Sequence, residues 1–506
     1  MGDRTKLILA LMLGLIALSI ADGVELSRQV NASDVLATIK TGQPAEFDNY
    51  IILGDLDLSA LKIGNKVHFN NTRFQGSANF ESTDFNSDAY FGGSAFNSDV
   101  NFEGSAFNGI TDFRGAAFNG DAYFGYSDFN GTADFEYTNF NGNASFVYTN
   151  FNRYANFWNS DFNRTANFGG SDFTGIADFR MGFFKVDAKF EHSNFKGATK
   201  FWNSDFNGTA DFEYARFKND ADFRESDFKG IAYFRNSDFN GTARFWDTGF
   251  YDNADFRDSR FNITDFSAAK FNKEAQFNDA QFAGIANFDN SRFTGDALFE
   301  NTIFQNTLSL TRARYDKLYI RWYNIKGGLV YDDAAYMSLM KNFKNLGYFE
   351  DYDSCYFQYR KEHRNQPWPA VNGWEAGIRK IIDYPLEWFY GYGTKPLNAF
   401  LFSLGIIISF GGFWGALGLG GPKDRTKESL KEGEEWLDGD ITDILGFSVT
   451  VFLSGTKFFI DPPAIPKIEG HSRSLIKKAF VLERLLGALF SILFFIAVSG
   501  TIVRAT

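Results

Sequence analysis

"TADFEYTNFNGNASFVYTNFN" (residues 132–152) places phenylalanine at 135, 140, 146 and 151, so successive gaps run five, six, five. Followed outward, the same beat gives Phe69, Phe74, Phe80, Phe85, Phe91, Phe96 and Phe102, and it continues to Phe299 and Phe304. One slip interrupts it, from Phe256 through Phe261 and Phe266 to Phe271, where three five-residue gaps adjoin. A period of eleven made of five plus six fits neither a 3.6-residue helix nor one continuous strand. A short fixed period held this long predicts a solenoid.

Two residues before each Phe sits a small residue: Ala133, Thr138, Ala144 and Thr149 precede Phe135, Phe140, Phe146 and Phe151. Positions two apart on an extended segment point the same way. Each unit therefore sends one large and one small side chain inward, and stacked units fill a narrow interior. The outward positions carry Asp, Asn, Glu, Arg and Tyr. Gly, Asn and Asp recur where the extra residue of the six-step gap falls ("FNGTA", "FNGNA"), which predicts a corner of relaxed φ there.

This motif resembles the pentapeptide-repeat family, whose units read A-(D/N)-Z-x-x with a large apolar Z. The resemblance implies a mainly β solenoid, a right-handed four-sided β-helix with one repeat per side, over residues 66–320. Phe occupies Z almost throughout, and the added residue in every second repeat makes a coil of 22 residues. From Phe69 to Tyr315 that gives about eleven coils and a rod of roughly 50 Å at the usual strand spacing. The Phe column reads as structural core, not as a ligand-binding aromatic box.

Solenoid ends need covering, because terminal coils expose apolar stacks and open strand edges. Residues 22–65 read as the N-terminal cap: "NASDVLATIKTG" (31–42) is a short helix capped by Asn31 or Ser33, and "IILGDLDLSAL" is a strand starting the stack. At the other end, 321–366 reads as a helical hairpin, with Tyr336, Leu339, Met340, Phe343 and Leu346 on one face and Gly347 as breaker. It serves as cap, as coupling element, or as both. Residues 367–395 read as an amphipathic interfacial segment with Trp374, Trp388, Tyr390 and Tyr392 at headgroup level. Its Gly391-Tyr392-Gly393 spells a channel-filter triplet but precedes the first span.

The last part, 396–506, is a helical membrane domain. Residues 396–420 carry no charge over a length that spans a bilayer, and 479–503 are equally long, with Glu483 and Arg484 near one end where they can snorkel. Between them, the apolar part of 441–463 is too short to span and ends in Pro-Pro. That layout predicts a re-entrant segment, tolerated where it is buried in protein or lines a water-filled pore. The domain resembles the two-helix pore module of the potassium-channel superfamily. Phe447-Ser448-Val449-Thr450 and Phe452 match its pore helix in part, and Ser454-Gly455 falls at the filter entrance. The next residues depart from it: "SGTKFFIDPP" has no G-Y-G and carries Lys457, whereas potassium selectivity depends on a ring of carbonyls. The resemblance implies a homo-oligomer, a tetramer by analogy, passing a permeant ion through a bilayer. Thr450, Ser454, Gly455, Thr456, Lys457 and Asp461 would form the filter region, and Gly487, Ser491 and Ser499 would line the path from the last helix.

Residues 1–21 read as a signal peptide, with Arg4 and Lys6 ahead of an apolar run and Ser19-Ile20-Ala21 suited to cleavage, or as an uncleaved anchor of the same orientation. It puts the β-helix on the extracytoplasmic side of the cell membrane. Lys and Arg cluster in the 421–478 loop (Lys423, Arg425, Lys427, Lys431, Arg473, Lys477, Lys478), so the positive-inside rule makes that loop cytoplasmic, opposite to a potassium channel.

Formal net charge is −12, which argues against a polyanion or nucleic-acid partner. The one cysteine, Cys355, excludes an intrachain disulfide framework, and none of the four histidines (His68, His192, His363, His471) has metal-ligand spacing to another. No nucleophile elbow, P-loop, HExxH or Rossmann fingerprint occurs, so neither catalysis nor a cofactor is expected. The sequons at Asn130, Asn207 and Asn240 read first as repeat vocabulary. Three functions remain: an oligomeric membrane ion channel carrying a β-helical domain, a membrane-anchored β-helical binding or surface-structural protein, and DNA mimicry by an acidic rod as in the pentapeptide proteins that bind topoisomerase, against which export and the membrane spans argue.

Overall fold

The computed structural model describes residues 28–366, 373–417, 440–456, 460–466 and 472–505. The expected signal peptide lies outside them, as do residues 421–439, 457–459 and 467–471 of the 421–478 loop. The chain divides into two compact units, Met1–Ala335 and Tyr336–Thr506.

The first unit is a β-solenoid of about thirteen turns. Each coil has four short sides, such as Asn139–Phe140, Ala144–Ser145, Asn150–Phe151 and Ala155–Asn156. Every side pairs in parallel with the same side of the next coil, 22 residues on, as in Asn139↔Asp161 and Phe140↔Phe162. Two faces form sheets of 13 strands each. The other two merge into one sheet of 23, because the strands Asp238–Arg244 and Arg260–Asp265 run through the corner between them.

The beat of Phe is the core. Phe135, Phe140, Phe146 and Phe151 are buried, each in a separate column. Within a column, rings stack nearly parallel at the coil rise, as Phe135 on Phe157 at 4.8 Å and 1°. Across columns they meet edge to face, as Phe135 and Phe146 do at 5.4 Å and 85°. Offset-parallel and T-shaped contacts are the two arrangements the ring quadrupole favours. Ala133, Thr138, Ala144 and Thr149 fill the gaps between columns, as their spacing predicts.

The buried hydroxyls have a use that residue spacing alone does not reveal. The Phe135 carbonyl accepts the Thr138 amide at 3.1 Å, closing the turn, and the Ser160 hydroxyl of the next coil at 2.6 Å. The pattern repeats from Thr138 to Phe113 at 2.8 Å and from Thr149 to Phe124 at 2.7 Å. Both lone pairs of a carbonyl beside an apolar core are thereby met.

The corner expectation is overturned. Left-handed backbone falls in the five-residue gap, two residues after Phe, and the residue there is commonly not glycine: Tyr126, Tyr137, Tyr148, Asn159 and Met181 all have φ between 55° and 57°. The amide at this position is fixed by the next coil, as Tyr137 N–H donates to the Trp158 carbonyl at 3.0 Å. Glycine in the six-residue gap serves proximity instead of φ. A Cβ on Gly142 would overlap the carbonyl oxygen of Gly120 one coil away.

The slip after Phe256 has a local structural cause. Phe239 pairs with Phe261, 22 residues on, but Ala243 pairs with Thr264, 21 on, with a register shift between Phe239 and Thr242. A residue missing at the corner is absorbed as a bulge, and the columns on both sides stay in register.

The ends extend beyond the Phe run, which is why coils outnumber the eleven it implies. At the start, strand Arg28–Asn31 pairs with Tyr50–Leu53, and helix α1 (Ala32–Lys40) follows Asn31 in the N-cap position and buries Ala32, Val35 and Ile39. At the far end, helix α2 (Trp322–Ile325) buries Trp322 and Ile325. The chain then returns to pair Leu308 with Gly328 and Val330 at 2.8 Å each.

Helix α3 (Asp333–Asn345) begins at the end of the first unit and continues into the second, where Gly347, with φ 73°, separates it from α4 (Phe349–Asn365). Tyr336, Leu339, Met340 and Phe343 are buried, and Tyr336 meets Tyr359 at 5.7 Å. Helix α5 (Gly373–Tyr390), a turn at Gly391–Gly393, and helices α6 (Pro396–Ala416), α7 (Ile441–Leu453) and α8 (Arg473–Ala505) complete it.

Candidate functional site

Among the described residues, two helices are long and apolar enough to cross a membrane: α6, and α8 over Arg473–Ser499. The second begins ahead of the apolar stretch that identifies it in sequence, because the Ser472 hydroxyl accepts the Leu475 amide at 3.2 Å and starts the helix there. Large apolar side chains on both point outward, among them Leu397, Phe400 and Ile408 on α6 and Leu485, Ile492 and Phe495 on α8. Such a continuous exposed apolar surface is what a lipid environment covers.

Helix α7 has 13 residues, about 20 Å, too short for a hydrocarbon core of about 30 Å. It packs against both long helices through Phe447, Val451, Trp414, Ile476 and Phe480, which form one buried cluster. The Phe447-Ser448 and Phe452 positions singled out in sequence are the buried ones, whereas Val449 is exposed.

Glu483 and Arg484 do not snorkel. Glu483 is fully buried and joins all three helices: the Trp414 indole N–H donates to its Oε2 at 2.8 Å, and Ser448 Oγ lies against its Oε1. Ser448 Oγ also lies 2.9 Å from the Ile407 carbonyl of α6. Arg484 Nη2 donates to the Ser454 carbonyl at the end of α7, at 3.3 Å. A carboxylate and a guanidinium adjacent in an apolar helix cost least where they meet fixed polar partners, and the end of a re-entrant helix supplies them. Sequence reading overlooked this role. The signal was a charged pair ten residues inside a helix, facing a hydroxyl and an indole on two other apolar segments.

The filter-region residues fare differently from one another. Ser454 is buried, its hydroxyl donating to Val451 O at 2.8 Å. Thr450 is half-buried and donates to Gly446 O at 2.8 Å. Gly455 presses on α8, where a Cβ would overlap the Arg484 carbonyl, and Thr456 follows it half-buried. Asp461 is exposed. Lys457 lies outside the described residues. On α8, Gly487 lies against the Phe452 carbonyl, which a Cβ would overlap. Ser491 is buried and Ser499 exposed. The structure thus brings Gly455 and Gly487 together as a close helix crossing and assigns Gly487 to that contact within the chain, not to an open lining.

The interfacial expectation for 367–395 changes at Tyr392. Trp388 is exposed, as expected, but Tyr392 is buried with φ 55°. Its hydroxyl donates to Asp383 at 2.5 Å and accepts from Arg364 at 3.2 Å. Arg364 also pairs with Glu387 at 2.6 Å, and Arg360 pairs with Asp383 at 2.8 Å. Burial and the hydrogen bond to Asp383 push the Tyr392 hydroxyl well above its ordinary pKa. The GYG triplet is thus a buried connector that ties α4 and α5 to the start of α6. Among the described residues no group of His, Cys, Asp or Glu is placed to hold a metal ion.

A sequence profile of pentapeptide repeats (nine copies) matches residues 62–106, 102–150, 212–260 and 266–314. Every matched segment lies in the solenoid, and the helical unit is outside the match. No curated protein and no solved structure matches the chain.

Proposed function

We propose that this chain is one subunit of an oligomeric membrane ion channel whose β-solenoid stands on the extracytoplasmic side. The observation that carries the reading is the placement of α7: a helix too short to span, held between two helices that can, by the buried Trp414–Glu483–Ser448 cluster. A helix pair serving only as an anchor has no need of such an element. Backbone at membrane depth needs protein or water around it, and two spans cannot enclose a water path, so several copies surround one axis, four by analogy.

The path then runs past Thr450 in the last turn of α7 and past Ser454, Gly455, Thr456, Lys457 and Asp461, which follow the helix. Ser491 and Ser499 on α8 line its continuation, while Gly487 lets α7 sit close against α8. The cationic Lys457 of this stretch of sequence repels cations unless Asp461 neutralises it, so the conductance is weakly selective or anion-tolerant.

Purified protein reconstituted in planar bilayers tests this directly. The wild type should pass current, and Lys457→Glu should shift the reversal potential toward that of the cation. If neither protein conducts, the chain is a membrane-anchored β-helical binding or surface-structural protein.

A further inference from the structure

One edge of the solenoid carries a regular ladder of large side chains that core formation does not require. The residue just after Phe on this edge runs Trp158, Arg180, Trp202, Arg224, Trp246, one per coil. The coils are in strict register here: Ala155↔Ala177, Ala177↔Thr199, Thr199↔Ala221 and Ala221↔Ala243. The backbone confirms it, since the Arg180, Trp202, Arg224 and Trp246 carbonyls accept the amides of Asn159, Met181, Asn203 and Glu225 at 2.9–3.0 Å. Trp202 is 37% exposed and Trp246 42%, whereas Trp158 is half-buried and has the Tyr137 ring 5.1 Å away, tilted by 58°, on one side of it. The exposed tyrosines on another corner differ, because Tyr126 and Tyr148 stack on each other at 5.4 Å and cover one another's faces.

The arginines between the indoles are fixed and neutralised. Arg180 grips Asp178 through Nε and Nη2, both at 2.7 Å, and Arg224 grips Asp222 at 2.8 and 2.7 Å. Bidentate pairing holds each guanidinium plane rigidly and leaves Nη1 outside that grip. The ladder therefore presents aromatic rings alternating with hydrogen-bonding groups, with the arginine charge cancelled locally and a formal net charge of −12 on the chain. A polyanion has no electrostatic reason to bind it. Indoles recur every second coil, roughly 9.6 Å apart at the usual strand spacing. That is about the length of one disaccharide unit in an extended β-1,4-linked chain, where every second pyranose presents the same face.

We propose that this edge binds a linear, uncharged β-1,4-linked polysaccharide, with alternate sugar rings stacked on Trp158, Trp202 and Trp246 and hydroxyls meeting Arg180 and Arg224. The proposal is independent of conduction by the helical unit.

The test uses the full chain in detergent micelles, with cellohexaose and the uncharged hexa-N-acetylchitohexaose as probes and maltohexaose, whose α-linkages curl the chain, as control. Saturable calorimetric binding of a β-1,4 hexaose is expected, with a change in tryptophan fluorescence. Trp202→Ala, which removes the middle ring, should weaken it roughly tenfold or more, as expected for loss of one stacking platform. Trp246→Ala should weaken it too, and Trp202→Phe should restore most of it, so a folding defect in one variant leaves two others to read. The proposal is overturned if neither β-1,4 hexaose binds, if binding survives both alanine variants, if maltohexaose binds equally well, or if a single-stranded oligonucleotide binds in preference.

Discussion

Trp414 donates its indole N–H to Glu483 at 2.8 Å, so two apolar helices distant in sequence are joined through a carboxylate with no exposed surface. Leaving a buried acceptor unmet costs about 1–3 kcal/mol, more for a charged group. Trp414→Phe keeps the ring and removes only the donor, so it should lower the melting temperature of the helical unit in detergent. Glu483→Gln keeps an acceptor for the indole and should be much milder. Equal melting of wild type and Trp414→Phe, followed by size-exclusion chromatography after heating, would show that the bond contributes nothing.

Within the solenoid, Phe157 is fully buried between Phe135 and Phe179, each 4.8 Å away. Rigid coils above and below cannot collapse into the space it leaves. Phe157→Ala should therefore cost ~3–5 kcal/mol in denaturant unfolding of residues 28–335. A loss below about 1 kcal/mol would contradict a closely packed column.

The solenoid was legible because each coil repeats one local choice many times, so the spacing of Phe and the small residue before it could be read without tertiary information. What spacing could not reveal was the direction of side chains at corners. Tyr137 and Gly142 both sit in polar corner segments, yet the first has positive φ and the second is glycine because the adjacent coil is too close. In the helical unit, apolar length identified α6 and α8, and shortness identified α7. The Glu483 cluster depends on which faces of three helices meet, and the apolar runs are too uniform to specify that. Tyr392 misled for a related reason: a tyrosine beside a span reads as interfacial until Arg364 and Asp383, on separate helices, are seen to enclose its hydroxyl.

The two kinds of corner glycine should respond differently to substitution. Gly115 has φ 66° and nothing within 4 Å of an added Cβ, and tyrosine occupies the equivalent place at Tyr137, so Gly115→Ala should cost about 1–2 kcal/mol at most. Gly142 lacks positive φ but has no room, so Gly142→Ala must push apart two coils and should cost more than Gly115→Ala, by about 1–3 kcal/mol. Denaturant unfolding of the two variants side by side checks the order, and the reverse order would refute the proximity account.

The solenoid should also carry a titration opposite in sign to ordinary acid denaturation. Asp161 pairs in register with Phe183, an aromatic where the coils on either side carry Asn139 and Asp205. Burial raises its carboxyl above the ordinary value. A carboxyl whose folded pKa is raised binds its proton more tightly in the native state. Its contribution is thus fully present below the unfolded pKa, near 3.8, and is lost as pH rises through the higher folded value. Above that window the ionised group is a net cost. Asp161→Asn keeps the shape and removes the charge, so it should stabilise the solenoid at pH 7 by on the order of 0.5 kcal/mol, the side chain being only partly shielded from water. The gain should vanish by about pH 3, below both pKa values. Melting curves of residues 28–335 measured from pH 3 to 8 provide the check: a gain that is constant with pH would assign the effect to the amide's hydrogen bonding, and a loss at pH 7 would mean that the ionised Asp161 is stabilised by a partner.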